Sequence, residues 1–568
     1  MVVSAFFERE KPKDRHTLRK LYAAQVLDSV GTGVGPKLPS TPLGTGQAPP
    51  VDRVTFHWEI EFPEVFTRAN PGFDAFVGNP PFLGGKRTST VLGDSYRDWL
   101  VIAHTGGSSN ADLVAYFLRR AFAILRNSGA LGLLATNTVA QGDTRRAGLA
   151  WINAHDGTIY SAERRIRWPG QAAVIVSVVH IARGPRVASV TLDGKPVPRI
   201  SAYLMPGSVD ADPNPISAKP KRSFIGCDIK GQGFTFDDDD VKANARSLAD
   251  DLIRKDPRNA VVIRPYMGGE EINTHPEQKP HRAVIDFETM SETEAEQWPD
   301  LLQIARTRVR PERLAKSSEL ASWPYWQFWR PRAELQNAKK GLAKVICCSQ
   351  ISKYRAFAVV PAEVVLGHKA VVIASDSMSL FAVLSSRSHE EWALAFGSTM
   401  KDDPVYTPSD CFDTFPFPAT LDTSQILESV GASYNAYRQA LMVRRHEGLT
   451  KTYNRFHDPD EHDPDIVKLR DLHAAMDRAV LDAYGWTDIQ PTCEFILDYE
   501  DEEDGEPGKA GKKKKPWRYR WPDDVRDEVL GRLLALNAER AAAQGQALPK
   551  PMKAPPKKNK VAGTPLLD

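Results

Sequence analysis

One run of ten residues constrains the fold of this 568-residue chain more than any other. It reads Phe-Asp-Ala-Phe-Val-Gly-Asn-Pro-Pro-Phe and spans Phe73–Phe82. Its first six residues have the composition of a strand, and the two prolines that follow fix the backbone angle φ and remove two backbone donors. The sequence therefore predicts a strand over 73–78 that ends in a rigid, extended segment. In an open α/β sheet, this is where a strand presents residues to a ligand.

This segment, Asn79–Phe82, is called the acceptor corner below. Because the prolines donate nothing, the Asn79 side-chain amide and the Pro80 carbonyl are left free to accept hydrogen bonds, and Phe82 adds an aromatic face beside them. Two acceptors and a ring match a planar group that carries an NH2, such as the edge of an adenine. The alternative is a Pro-Pro turn that merely ends a core strand.

Further segments around the acceptor corner follow one another in the order known from an enzyme family. They are Phe56–Phe66, Leu83–Lys86, Asn110–Phe117, Ala135–Thr138, Arg167–Gly170 and Phe412–Pro418. With Asn-Pro-Pro-Phe, this ordered set resembles the large S-adenosylmethionine-dependent DNA adenine-N6 methyltransferases of restriction-modification and phage-defence systems. The resemblance covers roughly residues 54–486, which is most of the chain.

The resemblance implies a catalytic role for each residue of the corner. Asn79 and Pro80 would accept the two N–H hydrogens of the adenine amine, Pro81 would keep the corner rigid, and Phe82 would stack on the base. Accepting both hydrogens favours a more tetrahedral nitrogen whose lone pair points at the methyl carbon of S-adenosylmethionine. Double-stranded DNA would be the partner, and the base would have to be flipped out of the duplex. Trp168 lies where the family flanks the flipped base, although a packing role is equally compatible with it.

The cofactor side of the resemblance is incomplete. The family carries a glycine-rich loop upstream of Asn-Pro-Pro-Phe, and the nearest segment here is 26–35, in which Gly31 and Gly33 would allow close backbone approach to S-adenosylmethionine. Asp112 is a further candidate cofactor contact, with a helix cap as the alternative. However, residues 18–27 have helical spacing, which favours a helix end and a linker. The chain would then lack the N-terminal cofactor-loop portion, which would lie on a separate polypeptide or be lost.

Alternating apolar strands and amphipathic helices predict an α/β fold. We expect a partial Rossmann-like methyltransferase core with a mostly parallel sheet, a mixed α+β target-recognition domain and a helical C-terminal region. The predicted divisions are 1–50 (helix and linker), 51–189 (catalytic core), 190–420 (target-recognition domain), 421–490 (helical region), 491–543 (charged loop and amphipathic helix) and 544–568 (disordered tail).

Residues 190–420 form the predicted DNA reader. Segments 263–272 and 281–287 resemble the start of the family's target-recognition domain, and basic and aromatic residues cluster further along. Arg and Lys suit phosphates and guanine edges. The candidate DNA contacts are Arg264, Tyr266, Trp326, Arg330, Lys353 and Arg355. The alternative for any one of them is a place in a small aromatic core or a solvated charge.

The composition of the chain limits the classes of protein and of site to which it can belong. The formal net charge is only +2, so a DNA-binding surface has to be local. Five cysteines without paired or metal-ligand spacing predict reduced thiols in the cytoplasm and no metal site. No apolar run is long enough to predict a membrane span. A separate N-terminal methyltransferase half or a restriction subunit would be the protein partner.

Two alternatives to an adenine methyltransferase stay open at this point. The first alternative is a truncated or split recognition subunit that binds DNA without catalysis of its own. The Asn-Pro-Pro-Phe residues also occur in methyltransferases that act on protein glutamine or on guanine amines of ribosomal RNA. Those enzymes usually lack a long reader region after the core, which separates them from this chain.

Overall fold

The computed structural model describes residues 56–167, 175–184, 189–216, 221–400, 403–497 and 517–545. The chain divides into two units, of which the first ends at Ala211 and the second begins at Asp212. Both units mix sheets and helices, as an α/β chain should. Within the described ranges, no helix is both long and apolar enough to cross a membrane.

The first unit is built on a six-stranded sheet. Its strands are β1 (Phe73–Gly78), β2 (Leu125–Thr136), β3 (Gly157–Arg167), β4 (Ile175–Arg183), β5 (Thr191–Leu192) and β6 (Lys195–Pro196), in the spatial order β1-β2-β4-β3-β5-β6. The pairs β1/β2 and β3/β5 are parallel, whereas β2/β4, β3/β4 and β5/β6 are antiparallel.

The expectation of a mostly parallel sheet is therefore wrong for the described strands. Only residues 168–174 separate β3 from β4. A parallel pair needs a crossover connection of a dozen or more residues, whereas an antiparallel pair can be joined by a short one. The short connection accounts for the antiparallel pairing of these two strands.

The helices of the first unit position the loops around β1. They are Trp58–Glu61, Pro63–Phe66, Gly85–Leu92, Asp94–Ala103, Leu113–Ala123, Gly142–Arg145 and Trp151–Asn153, with 3-10 and π turns at Asn137–Ala140 and Arg146–Ala150. Helix Leu113–Ala123 packs on the sheet because Val114, Leu118 and Phe122 recur at helical spacing and are all buried in one core cluster.

The second unit contains two four-stranded sheets and two hairpins. Its strands are β7 (Ser223–Ile225), β8 (Thr235–Phe236), β9 (Ile263–Met267), β10 (Arg282–Ile285), β11 (Lys344–Ser349), β12 (Ala358–Pro361), β13 (Val365–Leu366), β14 (Ala370–Ile373), β15 (Ser398–Met400), β16 (Asp403–Val405), β17 (Glu494–Leu497) and β18 (Trp517–Arg520). The sheets have the orders β13-β9-β10-β8 and β12-β11-β14-β7, and the hairpins are β15/β16 and β17/β18.

Helices dominate the C-terminal part of the second unit, as predicted. The α-helices of the whole second unit are Arg246–Lys255, Gly269–Thr274, Glu292–Ala295, Pro299–Ile304, Arg310–Leu314, Ser318–Ser322, Ala333–Lys339, Met378–Ser385, Arg387–Phe396, Gln425–Arg445, Leu449–Phe456, Pro464–Ala483 and Asp523–Ala543. Shorter 3-10 or π segments are Gln232–Phe234, Pro257–Val261, Ala305–Val309 and Pro408–Phe412. A buried ion pair of 2.7 Å between Arg387 and Asp477 joins two of these helices.

All five cysteines are free thiols. Cys227, Cys347, Cys348 and Cys411 are buried, and Cys493 is half-buried. Burial raises the pKa of the Cys227 thiol to about 12, so it stays protonated and packs as a small apolar side chain.

Candidate functional site: the acceptor corner

The acceptor corner lies where the sequence predicts it, directly after the last residue of β1. β1 runs parallel to β2, with Ala75 opposite Ala130 and Gly78 opposite Leu133. Asn79 is exposed, and Pro80 is buried beside it. Because parallel strands present their carboxyl ends at one edge of a sheet, Asn79 is delivered to the edge at which α/β proteins bind ligands.

Both predicted acceptors are available. Among the described residues, neither the Asn79 side chain nor the Pro80 carbonyl has a hydrogen-bond partner. Pro81 is exposed, and like Pro80 it has no N–H that an approaching group would have to satisfy. The corner therefore offers two acceptors, the Asn79 amide oxygen and the Pro80 carbonyl, which suits a ligand that brings two N–H donors.

Phe82 is half-buried, with one part of the ring packed against the core cluster of the first unit. A ring that is held by the core on one side and partly open on the other is a rigid stacking surface. Aromatic stacking on a nucleobase contributes about 1–3 kcal/mol and tolerates any base. The open part of the Phe82 ring is thus available for stacking against a planar group.

The loop after Phe82 is fastened to the start of helix Leu113–Ala123. The Leu83 carbonyl accepts from the Leu113 N–H at 3.0 Å, and the Leu83 N–H donates to Asp112 Oδ1 at 3.3 Å. Gly85 lies against Asn110 so closely that a β-carbon at position 85 would stand 2.6 Å from the Asn110 Cα. The corner is consequently held by the fold at both ends, by β1 before it and by this helix after it.

Asp112 is the N-cap of that helix. Its Oδ1 accepts from the Val114 N–H at 2.9 Å as well as from Leu83, and its own N–H donates to Thr144 Oγ1 at 3.0 Å. Burial raises the pKa of Asp112, while the N–H groups of Val114 and Leu83 oppose the rise by stabilising the carboxylate. In this structure Asp112 positions the corner, and its role as a cofactor contact stays a prediction.

The cofactor side of the site is not provided by the described residues. Gly31, Gly33 and Trp168 lie outside the residues that the structure describes. In residues 56–167, 175–184 and 189–211, no Gly-x-Gly loop follows a strand. The described residues of the first unit therefore supply the acceptor corner but no glycine-rich loop of this form.

Two candidate DNA contacts of the second unit have exposed side chains. Lys353 is exposed, and its Nζ donates to Asn454 Oδ1 at 3.0 Å. Arg330 is exposed as well, with its backbone bonded to Asp228 in an isolated bridge. Exposure leaves both cations able to meet a phosphate without rearrangement.

Two further candidates are partly buried and already engaged. Arg264 makes ion pairs with Asp286 at 3.2 Å and Glu288 at 2.9 Å. Burial raises the pKa of Asp286 to about 6 although the Arg264 cation opposes the rise. Trp326 is half-buried and donates its indole N–H to the Met290 carbonyl at 2.9 Å. These contacts favour a structural role for both side chains.

The last two candidates are buried. Tyr266 is 6% exposed, and the Arg282 guanidinium lies 4.9 Å from its ring centroid. Arg355 is 7% exposed, and its Nε and Nη2 have no hydrogen-bond partner among the described residues. A DNA contact by either residue would require it to leave the core, so the sequence pattern alone did not separate surface cations from packed ones.

Sequence reasoning missed one cluster of possible metal ligands. Asp237, Asp239 and His281 offer ligand atoms that lie within 4.8 Å of one another. His281 is distant in sequence from the aspartates, and it arrives only through the pairing of β10 with β8 and β9. The cation Arg282 lies 3.9 Å from Asp237 Oδ2 and already offsets the charge of the cluster.

Two domain-family models match this chain. Residues 45–152, which include the acceptor corner, match the model described as the Eco57I restriction-modification methylase. Residues 229–419 match the model described as MmeI, target recognition domain. The chain carries a restriction-modification methylase domain and an MmeI-type target recognition domain. The methylase domain thus holds Asn79–Phe82 and Asp112, and the target recognition domain holds all six candidate DNA contacts other than Trp168.

One curated relative and several solved structures are similar over longer stretches. DNA methyltransferase A of Bacillus subtilis (strain 168) is 24% identical over 429 residues, which is 72% of this chain and 45% of that protein. The chain therefore spans less than half the length of this relative. The structure of the type IIL restriction-modification enzyme MmeI in complex with DNA has a TM-score of 0.48 and 18% identity, covering 91% of this chain and 63% of that one. The type IIG restriction endonuclease BpuSI has a TM-score of 0.29 and 10% identity, covering 72% and 54%.

Proposed function

We propose that this chain supplies the base-binding and DNA-reading parts of a site-specific DNA methyltransferase. The substrate is the N6 amine of an adenine extruded from duplex DNA, the methyl donor is S-adenosylmethionine, and the setting is a restriction-modification or phage-defence system. One observation carries the proposal. The Asn79 amide and the Pro80 carbonyl, which have no hydrogen-bond partner among the described residues, lie close in sequence to the half-buried Phe82 ring within residues that match a methylase family.

The residues of the corner act by orienting the amine. Its two N–H groups donate to Asn79 Oδ1 and to the Pro80 carbonyl, which draws the nitrogen lone pair out of the base π-system and fixes its direction. Asn79 is neutral and cannot take up a proton, so the proton leaves the methylated nitrogen for water. Phe82 holds the plane of the base while Leu83 and Asp112 keep the corner in place.

Support for DNA as the substrate comes from the match of residues 229–419 to a target recognition domain. A base in a duplex cannot reach a corner of this kind, so the enzyme has to extrude it at a cost of a few kcal/mol. Exposed cations such as Arg330 and Lys353 are suited to phosphate contacts that offset this cost. The same match disfavours protein glutamine and ribosomal RNA as substrates.

The test replaces Asn79 by Ala in the full chain, purified from its own cells so that any companion is retained. Losing one preorganised hydrogen-bond group at a reacting centre costs about 10²–10³-fold in rate. N6-methyladenine in duplex DNA, measured by mass spectrometry of nucleosides, should fall by that factor, while DNA binding in a gel-shift assay stays unchanged. Asn337→Ala, a change at another exposed asparagine, is the matched control. Full activity of Asn79→Ala, or a methylated base other than adenine, would contradict the proposal.

A second candidate function is DNA recognition without catalysis. It is favoured by one observation, the lack of a glycine-rich cradle in the described part of the first unit. Titration calorimetry of the isolated chain with S-adenosylmethionine separates the two. Binding by the chain alone excludes the second candidate, and binding that requires a companion places the chain in a divided methyltransferase.

A further inference from the structure

The end of one strand and the start of another bring three potential metal ligands together in the target recognition domain. Phe236, the last residue of β8, lies opposite Ala283 of β10. The residues that follow β8 and those that precede β10 therefore leave the sheet next to one another. This places Asp237, Asp239 and His281, called the Asp-His cluster below, within reach of a single ion.

The spacing of the Asp-His cluster is close to that of a metal site. Its ligand atoms lie within 4.8 Å of one another. Carboxylate oxygen and imidazole nitrogen bind Zn²⁺ at about 2.0–2.2 Å, so two ligands on opposite sides of one ion stand at most ~4.4 Å apart. Asp239 and His281 are exposed, and small rotations of these two side chains close the remaining gap.

Asp237 is the buried member of the cluster, and one of its oxygens lacks a donor. The residue is 9% exposed, and its Oδ1 accepts from the Asp239 N–H at 3.0 Å. Its Oδ2 accepts no hydrogen bond from the described residues, since Arg282 Nη1 lies 3.9 Å away, beyond hydrogen-bond distance. A largely buried carboxylate oxygen without a donor is unfavourable, which points to a ligand that the described residues do not supply.

The nearby cation is committed to a different carboxylate. Arg282 Nε donates to Glu271 Oε1 at 2.6 Å, and Glu271 is 5% exposed. This buried pair balances its own charge. In the described part of the second unit, Asp237 and Asp239 then have no cation within hydrogen-bond distance. Two carboxylates this close repel each other, and a divalent cation between them removes the repulsion.

The other two aspartates of the same acidic run have a different role. Asp238 Oδ1 accepts from the Arg246 N–H at 2.8 Å, and Asp240 Oδ1 accepts from the Lys242 N–H at 2.9 Å. Both carboxylates thus hold the backbone of the loop that follows β8. Only the alternate aspartates, Asp237 and Asp239, meet the histidine.

We propose that the Asp-His cluster binds a divalent transition-metal cation, Mn²⁺ or Zn²⁺. Carboxylates suit Mn²⁺ and imidazole suits Zn²⁺, whereas Mg²⁺ and Ca²⁺ take oxygen ligands. The cation links the loop after β8 to the start of β10, and its remaining coordination positions are open to water. This site goes beyond the proposed function and does not depend on the base that is methylated.

The test measures binding of Mn²⁺ alone to the full chain by electron paramagnetic resonance, after bound metal has been removed with a chelator. Loss of a partner in the outer shell of a metal site costs about 10–100-fold in affinity, and loss of a ligand costs no less. Asp239→Asn and His281→Gln should therefore each weaken Mn²⁺ binding at least ~10-fold. Both side chains are exposed, so these substitutions leave the core intact.

Two matched controls keep the cluster unchanged. His368→Gln removes a histidine whose side chain is 47% exposed, compared with 48% for His281, and that also lies near a carboxylate. Asp251→Asn removes an exposed carboxylate of the same unit. Both control variants should bind Mn²⁺ as the unsubstituted chain does.

A second measurement does not depend on the folding of any cluster variant. Electron spin-echo spectroscopy of Mn²⁺ on the unsubstituted chain should show coupling to an imidazole nitrogen, and His368→Gln should retain it. Zn²⁺ should displace the Mn²⁺, because it binds such ligands more tightly, whereas Mg²⁺ at ~10 times the Mn²⁺ concentration should not.

The results that overturn the proposal are equally specific. Absence of Mn²⁺ binding overturns it, and so does displacement by Mg²⁺. Binding without nitrogen coupling, or binding that the cluster variants and the controls share equally, means an adventitious ion only and overturns it as well. Adenine methylation is tested separately, because the acceptor corner belongs to the first unit and the Asp-His cluster to the second.

Discussion

Asp112 connects the acceptor corner to the fold, and its replacement tests that connection directly. In Asp112→Ala, the Val114 N–H loses its capping acceptor and the Leu83 N–H loses the bond that holds the corner. Loss of an N-cap costs about 1 kcal/mol. A partly buried donor left without a partner costs about 1–3 kcal/mol, and the 3.3 Å bond to Leu83 belongs at the lower end. Together they give about 2 kcal/mol of local destabilisation.

Asp112→Asn is the matched control because it keeps the Oδ1 acceptor and removes only the charge. Burial raises the pKa of Asp112, so the carboxylate gains little from its ionised state. Stability should therefore stay within about 0.5 kcal/mol of the unsubstituted chain, since both hydrogen bonds can form with a side-chain amide oxygen.

Hydrogen exchange is the suitable assay, because a chain of two units need not unfold in one step. Peptide-resolved mass spectrometry reports the opening of helix Leu113–Ala123 alone. A loss of 2 kcal/mol corresponds to roughly 30-fold faster exchange in Asp112→Ala, whereas Asp112→Asn should change by less than ~3-fold. Unchanged exchange in Asp112→Ala, or equally fast exchange in both variants, would refute the positioning role.

The same pair of variants decides whether Asp112 also contacts the cofactor. If Asp112 only positions the corner, Asp112→Asn retains both stability and the affinity of the native complex for S-adenosylmethionine. If its negative charge is a cofactor contact, Asp112→Asn stays stable but binds S-adenosylmethionine more weakly in calorimetry.

Two further predictions concern the second unit. Burial raises the pKa of Glu391 to about 7 from an ordinary value of 4.5, so the folded chain keeps a proton that the unfolded chain loses. The contribution of Glu391 to the free energy of unfolding is fully present below about pH 4.5. It falls by up to about 3 kcal/mol as the pH rises through 7. Thermal unfolding of Glu391→Gln between about pH 5 and 8 should lack this decline, and Glu390→Gln should retain it. Lys353→Ala should lower the slope of log DNA affinity against log salt by about 1, as expected for one phosphate contact, and Lys255→Ala, which removes a partner of Asp300, should not.

The local sequence predicted those elements of the fold that depend on backbone chemistry. The strand before Asn79 has the predicted bounds, and the amphipathic helix predicted within 491–543 spans Asp523–Ala543. Asn127-Ser128-Gly129 has the composition of a helix stop, yet Leu113–Ala123 ends earlier and Ser128 adopts a positive φ within β2. Residues of this kind are compatible with the end of a helix and with a strand. Here they belong to β2, because β2 pairs with β1 and β4.

Properties that depend on distant partners could not be predicted. Arg355 and Lys353 are near neighbours in a basic segment, yet the first is buried and the second exposed. Tyr266 packs in the core although its segment resembles a DNA reader. Only the three-dimensional packing of the second unit distinguishes Arg355 from Lys353, because both are cations of one short segment.

The contact between Gly85 and Asn110 limits how this site can be transplanted or altered. No side chain fits between the two backbones, so the loop after Phe82 and the start of helix Leu113–Ala123 have to be inherited as a matched pair. If Asn-Pro-Pro-Phe is grafted onto another strand, it therefore needs a glycine three residues after the phenylalanine and a capped helix that packs against this glycine.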